Sequence, residues 1–127
     1  MTISVFVYGT LATGGGQEQL LGMGRRRPAT AVGTLWSLPA GYPALQIAGS
    51  GVVHGERVDG LPEAALGVLD AYEGVADGLF RRVALTVLCD GARAVVWAWV
   101  MDEPRRHRGR MVPGGRWRAT RRRSPDG

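Results

Sequence analysis

The chain has 127 residues, a length that gives one domain with a single hydrophobic core. Hydrophobic residues make up 45% of it and glycine occupies 20 positions, which indicates a compact, turn-rich protein rather than a disordered chain. No apolar run approaches the roughly 20 residues that span a membrane, and the first residues lack a signal-peptide pattern. We therefore expect a cytoplasmic protein without a membrane partner. One cysteine and two histidines argue against a disulfide and against a thiolate- or histidine-rich metal site.

The net charge of +5 is distributed unevenly along the chain. Residues 1–104 hold seven Arg against ten Asp and Glu, a net charge of −3, whereas residues 105–127 hold nine Arg and one Asp, a net charge of +8. We predict a folded domain over 1–104 and a basic, Arg-rich tail over 105–127, ordered in part around 114–117. Two interpretations of this tail stay open. Its arginines and Trp117 contact nucleic acid, or the tail is a solvated terminus.

The predicted elements are mostly strands. Alternation of apolar residues predicts a first strand over 3–8, and short apolar runs predict further strands over 31–38, 43–48 and 51–58. A short helix is expected over 17–23. A longer helix is expected over 62–72, with Pro62 in its first turn and Gly74 just past its end. The last strands, over 80–88 and 92–101, flank Asp90-Gly91, a strong hairpin signal.

The first strand runs directly into the turn Tyr8-Gly9-Thr10-Leu11. Glycine lets a bound group approach the backbone closely. The N–H groups of Gly9, Thr10 and Leu11 are then candidates to bind a carboxylate or a developing oxyanion. A strand-to-loop turn without any ligand uses the same residue types, so both interpretations stay open.

Glu73 is the candidate acid–base group. Leu66 and Leu69 mark the buried stripe of the predicted helix, and Glu73 follows them at helical spacing on the same stripe. Burial and the C-terminal end of the helix dipole would both raise its pKa, the direction that acid–base catalysis near neutral pH requires. The alternative is a solvated acid at a helix end. Asp70, one turn earlier, is either a helper or a surface partner for an arginine.

These segments together resemble one known family. The resemblance is to the gamma-glutamylcyclotransferase-like family, which includes avirulence-induced-gene-like proteins, gamma-glutamylamine cyclotransferases and the butirosin-biosynthesis cyclotransferase. It rests on Val-Phe-Val-Tyr-Gly-Thr-Leu at 5–11 and Leu-Asp-Ala-Tyr-Glu-Gly at 69–74. The supporting segments, in the same order as in the family, are residues 33–36, 42–44, 53–56, 80–83 and 115–117.

The resemblance implies an α+β fold, a small mixed β-barrel with a few flanking helices. It also implies a reaction in which the α-amine of a γ-glutamyl group attacks its own γ-carbonyl, forming 5-oxoproline and releasing an amine or amino acid. Glu73 takes the place of the catalytic glutamate, and Tyr8, Gly9, Thr10 and Leu11 that of the substrate-binding loop. No metal ion or cofactor is implied, and the partner is a small γ-glutamyl molecule.

The chain departs from the family pattern at Phe80, where the family often has a tyrosine, and at Gln17-Glu18, where it often has Asn or His. These differences leave the identity of the substrate open. The alternative function is a non-catalytic module that binds a small ligand, or nucleic acid through the Arg-rich tail.

Overall fold

The computed structural model describes residues 1–22 and 24–118. Over these ranges the chain forms a closed barrel, a small sheet beside it and one α-helix, α1 (Ala65–Tyr72). The strands are β1 (Thr2–Val7), β2 (Arg25–Val32), β3 (Thr34–Ser37), β4 (Pro43–Gln46), β5 (Val52–Pro62), β6 (Arg81–Cys89), β7 (Ala92–Val100) and β8 (Arg110–Met111). No helix in the described ranges has the length and apolar character needed to cross a membrane.

The barrel contains five strands in the order β1-β5-β2-β6-β7. Strand β5 is antiparallel to both β1 and β2, and β1 closes the barrel by pairing parallel to β7 at Val5 and Trp97. The second sheet has the order β4-β3-β8. This architecture confirms the expected α+β barrel.

The β6–β7 hairpin shows why the barrel strands are apolar on both faces. Its turn residues, Asp90 and Gly91, have φ values of 53° and 76°, as the tight turns that match strand twist require. One face of β7 buries Val96, Ala98 and Val100 in a cluster that includes Phe6 of β1; other members are Leu35, Leu45, Val53 and Val87. The opposite face carries Trp99, which is buried in a second cluster that includes Val7, Leu11, Leu69 and Phe80. Strand β7 therefore joins the two cores.

The strand predicted over 31–38 is wrong as a single element. It is divided at Gly33 into the end of β2 and the start of β3, which belong to different sheets. The N–H of Gly33 donates to the Gly51 carbonyl at 2.9 Å, and a Cβ at Gly33 would lie 2.7 Å from the Gln46 carbonyl oxygen. The break therefore needs glycine because another backbone segment passes too close for a side chain.

The first residues of β2 do not show the apolar alternation that predicts a strand, because they are charged. Arg26 donates to Glu56 at 2.9 Å and Arg27 donates to Asp59 at 2.7 Å, and both acids lie on the neighbouring strand β5. These ion pairs across β2 and β5 let an arginine-rich segment form a regular strand.

The long helix begins later than predicted. Pro62 ends strand β5, opposite Thr2 of β1, and α1 begins at Ala65. A proline fits the end of a strand because it lacks the N–H that continued pairing would require. The predicted helix end is confirmed, since Gly74 takes a left-handed φ of 68° just past α1. The helix expected over 17–23 is only a single 3-10 turn, Glu18–Leu21.

Several residues of the basic C-terminal segment pack against the rest of the fold. Strand β8 pairs with β3, and Gly115 is buried against the Val52 carbonyl with a φ of 65°. Trp117 packs partly buried against the cluster that contains Phe6. The division of the chain at residue 104 stays a prediction, and the arginines at 121–123 lie outside the described residues.

Candidate active site

A cavity of about 260 Å³ opens between the end of β1, the end of α1 and the start of β6. All five predicted site residues line it: Tyr8, Gly9, Thr10, Leu11 and Glu73. Two segments 62 positions or more apart in the sequence, the glycine turn and the helix-end acid, therefore form walls of the same cavity.

Glu73 lies at the C-terminal end of α1, where its N–H donates to the Leu69 carbonyl at 2.9 Å. Leu69 is fully buried and Leu66 packs against the same cluster, so the predicted buried stripe is confirmed and Glu73 continues it into the cavity. Burial raises the pKa of the Glu73 carboxyl from its usual 4.5 to about 7. At neutral pH both protonation states of this acid are therefore populated.

The residues of the glycine turn (residues 8–11) line the cavity. The turn is closed by hydrogen bonds from the Ala12 N–H to the Gly9 carbonyl at 3.0 Å and from the Gln17 N–H to the Thr10 carbonyl at 2.7 Å. Within residues 1–22 and 24–118, no acceptor is found for the N–H groups of Gly9, Thr10 and Leu11. Three successive backbone donors without protein acceptors, at a cavity wall, suit a bound anion or a developing oxyanion.

Gly9 is needed for a steric reason. A Cβ at this position would lie 2.7 Å from Cδ of Pro43, a buried residue at the start of β4. The turn therefore lies flat against Pro43, and a larger residue at position 9 would displace the turn or the proline.

Tyr8 is fixed in place by its hydroxyl group. The hydroxyl donates to the Trp99 carbonyl at 2.7 Å and accepts from the Leu45 N–H at 3.1 Å. Burial, and to a lesser extent the neighbouring Glu73, raises the pKa of the Tyr8 phenol. The phenol therefore stays neutral and serves as a fixed wall of the cavity that also links strands β4 and β7.

The sequence analysis did not identify several of the residues that line the cavity. Tyr72 is the most informative, since its hydroxyl lies 2.7 Å from Oγ1 of Thr10 and so bridges α1 to the glycine turn. The remaining walls come from Phe6, Val7, Tyr42, Pro43, Leu79, Phe80 and Trp99. Of these walls, only Leu79 and Trp99 lie outside the segments that carry the family resemblance, and both resemble ordinary core positions.

Asp70 does not line the cavity. Its carboxylate accepts from the Trp99 indole N–H at 2.9 Å and lies 3.5 Å from the guanidinium of Arg82. The interpretation of Asp70 as an arginine partner is therefore confirmed. Asp70 also holds Trp99, a cavity wall, in its orientation.

His54 and Cys89 do not line the cavity. His54 is in β5, opposite Thr30, and lines a separate outer cleft with Trp117. Cys89 is buried at the end of β6 as a free thiol. The described residues contain no group of three or more His, Cys, Asp or Glu arranged to hold a metal ion.

The described residues form a small closed barrel in which a glutamate of raised pKa and a glycine turn line one cavity. Comparison with known families gives a more specific result. A family model described as gamma-glutamyl cyclotransferase, AIG2-like, matches residues 5–119, and the chain belongs to this family. No curated protein matches the chain.

Solved structures share the fold at low sequence identity. An AIG2-like protein from Mus musculus is 22% identical, with 97% of this chain and 98% of that one aligned at a TM-score of 0.73. YkqA from Bacillus subtilis is also 22% identical at a TM-score of 0.73, covering 92% of this chain. The chain spans only 40% of the length of YkqA. A gamma-glutamyl cyclotransferase is 16% identical over 80% of this chain and 67% of its own, at a TM-score of 0.65. These likenesses establish the barrel fold.

Proposed function

We propose that this protein is a cytoplasmic enzyme that cyclises a γ-glutamyl group to 5-oxoproline and releases an amine or amino acid. One observation carries the proposal: Glu73 and residues 9–11, whose N–H groups have no acceptor among the described residues, line the same cavity of about 260 Å³. A cavity of this size lies near the lower end of small-molecule sites, about 300 Å³. The free, buried thiol of Cys89 is compatible with a reducing compartment.

The first step is proton removal from the nucleophile. The α-amine of a γ-glutamyl substrate is protonated near neutral pH and cannot attack in that form. Glu73, with a pKa of about 7, has an ionised fraction that accepts this proton at neutral pH. An ordinary exposed glutamate, fully ionised at this pH, would be a weaker base.

The second step is ring closure. The α-amine nitrogen forms a bond to the γ-carbonyl carbon, and the electron pair of the C=O bond moves to oxygen. The N–H groups of Gly9, Thr10 and Leu11, residues of the cavity wall, would stabilise that oxyanion. Because the nucleophile and the carbonyl belong to one molecule, the enzyme only has to hold the substrate folded.

The third step is expulsion of the amine. The oxyanion collapses, the bond from the γ-carbon to the amide nitrogen breaks, and Glu73 returns its proton to the departing nitrogen. The ring nitrogen passes its surplus proton to the released amine, so the products are 5-oxoproline and the ammonium form of the amine, and Glu73 is again ionised. The reaction consumes no water molecule and needs no external oxidant or reductant.

The test is release of 5-oxoproline from a panel of γ-glutamyl amines and γ-glutamyl amino acids, measured by mass spectrometry. The expected result is turnover of at least one panel member by the wild-type protein and a rate about 10²- to 10⁴-fold lower for Glu73→Gln. Full activity of Glu73→Gln would contradict the assigned mechanism. Absence of any turnover would instead favour a binding module.

A further inference from the structure

We infer that Glu56 is a positioning residue for the reaction proposed above, because its carboxylate fixes the chain where it leaves the glycine turn. The inference rests on that proposed function, in which the N–H groups of residues 9–11 stabilise the oxyanion. Glu56 does not line the cavity. It acts instead through Thr13, the second residue after the turn.

Glu56 lies beside both ends of the glycine turn. Its backbone is paired with Val7, the last residue of β1, directly before the turn begins. Its side chain binds Thr13 after the turn: Oε1 accepts from the Thr13 N–H at 2.6 Å, and Oε2 accepts from the Thr13 hydroxyl at 2.8 Å. Both ends of the turn are therefore fixed to one residue of β5, a strand that is paired on both sides.

Contacts within the loop transmit this fixation to the turn. The Gly9 carbonyl accepts from the Ala12 N–H at 3.0 Å, and Thr13 follows Ala12 directly. A Cβ at Gly15 would collide with the Gly9 carbonyl oxygen, so the loop packs closely against the turn. A displacement of Thr13 would therefore move the peptide groups whose N–H bonds are the proposed oxyanion donors.

Arg26 orients the Glu56 carboxylate and offsets its charge. Its Nη1 donates to Oε1 of Glu56 at 2.9 Å, and each of the two side chains is only 20% exposed. Its Nη2 donates to the Glu18 carbonyl at 3.0 Å, and the Glu18 carboxylate accepts from the N–H groups of Gly14 and Gly16. Because the carboxylate of Glu56 is paired with a cation, it can bind the loop while adding little negative potential near the proposed oxyanion.

The neighbouring ion pair offers a contrast. Arg27 and Asp59 join the same two strands at 2.7 Å. In the described part of the chain, the hydrogen-bond partners of the Asp59 carboxylate are Ser4, Arg27 and Arg57, which all belong to barrel strands. Both ion pairs can support strand pairing, whereas only the Glu56 carboxylate also binds the loop that follows the glycine turn.

The kinetic test compares Glu56→Ala, Glu56→Gln and Asp59→Asn at a temperature where circular dichroism shows each variant to be folded. In Glu56→Ala, kcat for 5-oxoproline release should fall by about 10- to 100-fold, the cost of a small misplacement of groups that act in the transition state. KM should change little, because the oxyanion is absent from the bound substrate. Glu56→Gln should recover most of the loss, since its amide can still bind both groups of Thr13. Asp59→Asn should lower the urea midpoint but keep the wild-type kcat.

Three results would overturn the inference and leave the proposed function standing. They are a wild-type kcat in Glu56→Ala, an equal loss in Glu56→Ala and Glu56→Gln, and an equal loss in Asp59→Asn. If Glu56→Ala does not fold, the exposed Thr13 takes its place: Thr13→Ala should lower kcat and Thr13→Ser should not. Equal rates for these two variants would contradict the inference in the same way.

Amide NMR signals of residues 9–11 give a test that needs no substrate. These signals should shift in Glu56→Ala and stay in place in Asp59→Asn, because only Glu56 is bonded to the loop beside the turn. Unchanged signals in Glu56→Ala would show that Glu56 does not hold the turn. If no γ-glutamyl compound reacts with the wild type, the proposed function fails, and the amide signals still decide whether Glu56 positions the turn.

Discussion

The raised pKa of Glu73 makes a stability prediction that does not depend on any substrate. The variant is Glu73→Gln, which keeps the shape of the side chain but cannot ionise. The carboxyl has a pKa of about 7 in the folded protein against 4.5 in an unperturbed glutamate. Because each pKa unit corresponds to about 1.36 kcal/mol, the difference amounts to at most about 3 kcal/mol.

The sign follows from proton linkage. The folded state binds this proton more tightly than the unfolded chain does, so ionisation of Glu73 destabilises the fold as the pH rises from about 4.5 through about 7. The Glu73→Gln variant cannot ionise at this position, so it does not undergo this loss of stability. Its free energy of unfolding relative to wild type should therefore rise by up to about 3 kcal/mol between about pH 4 and about pH 8.

Urea denaturation at several pH values measures this difference. The matched control is Glu63→Gln, which neutralises an exposed glutamate just before α1. Subtracting its profile removes the general effect of losing one negative charge. A constant difference between Glu73→Gln and wild type across the pH range would refute a buried, ionisable Glu73.

Three further outcomes are expected. Tyr8→Phe removes the hydroxyl that joins β4 and β7, leaves two backbone groups without their partner, and should lower the free energy of unfolding by about 1–3 kcal/mol in urea. Gly9→Ala forces its Cβ against Pro43, so it should lower the free energy of unfolding by about 1–3 kcal/mol and reduce turnover. Its control is Gly67→Ala in α1, where the added Cβ meets no atom within 4 Å. This variant should raise the free energy of unfolding by roughly 0.5–1 kcal/mol. Finally, kcat/KM should rise with pH through about 7 as Glu73 ionises; a flat profile from pH 5 to 8 would count against its role as base.

Local sequence signals identified the elements that carry the site. The spacing of Leu66, Leu69 and Glu73 set the face of the helix, and Gly74 marked its end. The glycine after β1 marked the loop. These features were predictable because helix periodicity and left-handed glycines act within a few residues.

Other parts depend on contacts between distant segments. The division at Gly33 follows from the close passage of Gln46, and the charged start of β2 follows from acids on β5. The hydroxyl contact between Thr10 and Tyr72 joins residues 62 positions apart. Such pairings depend on tertiary contacts between distant segments, so periodicity could not reveal them.

The most direct test of the central claim is the steady-state rate of 5-oxoproline release by wild type and Glu73→Gln, with a γ-glutamyl substrate that the wild type turns over. A general acid–base group contributes about 10²- to 10⁴-fold, so kcat should fall by this factor while KM changes little. Glu63→Gln should retain the wild-type rate. A Glu73→Gln protein that folds and keeps its kcat would contradict the assignment of Glu73 as the proton-transfer group.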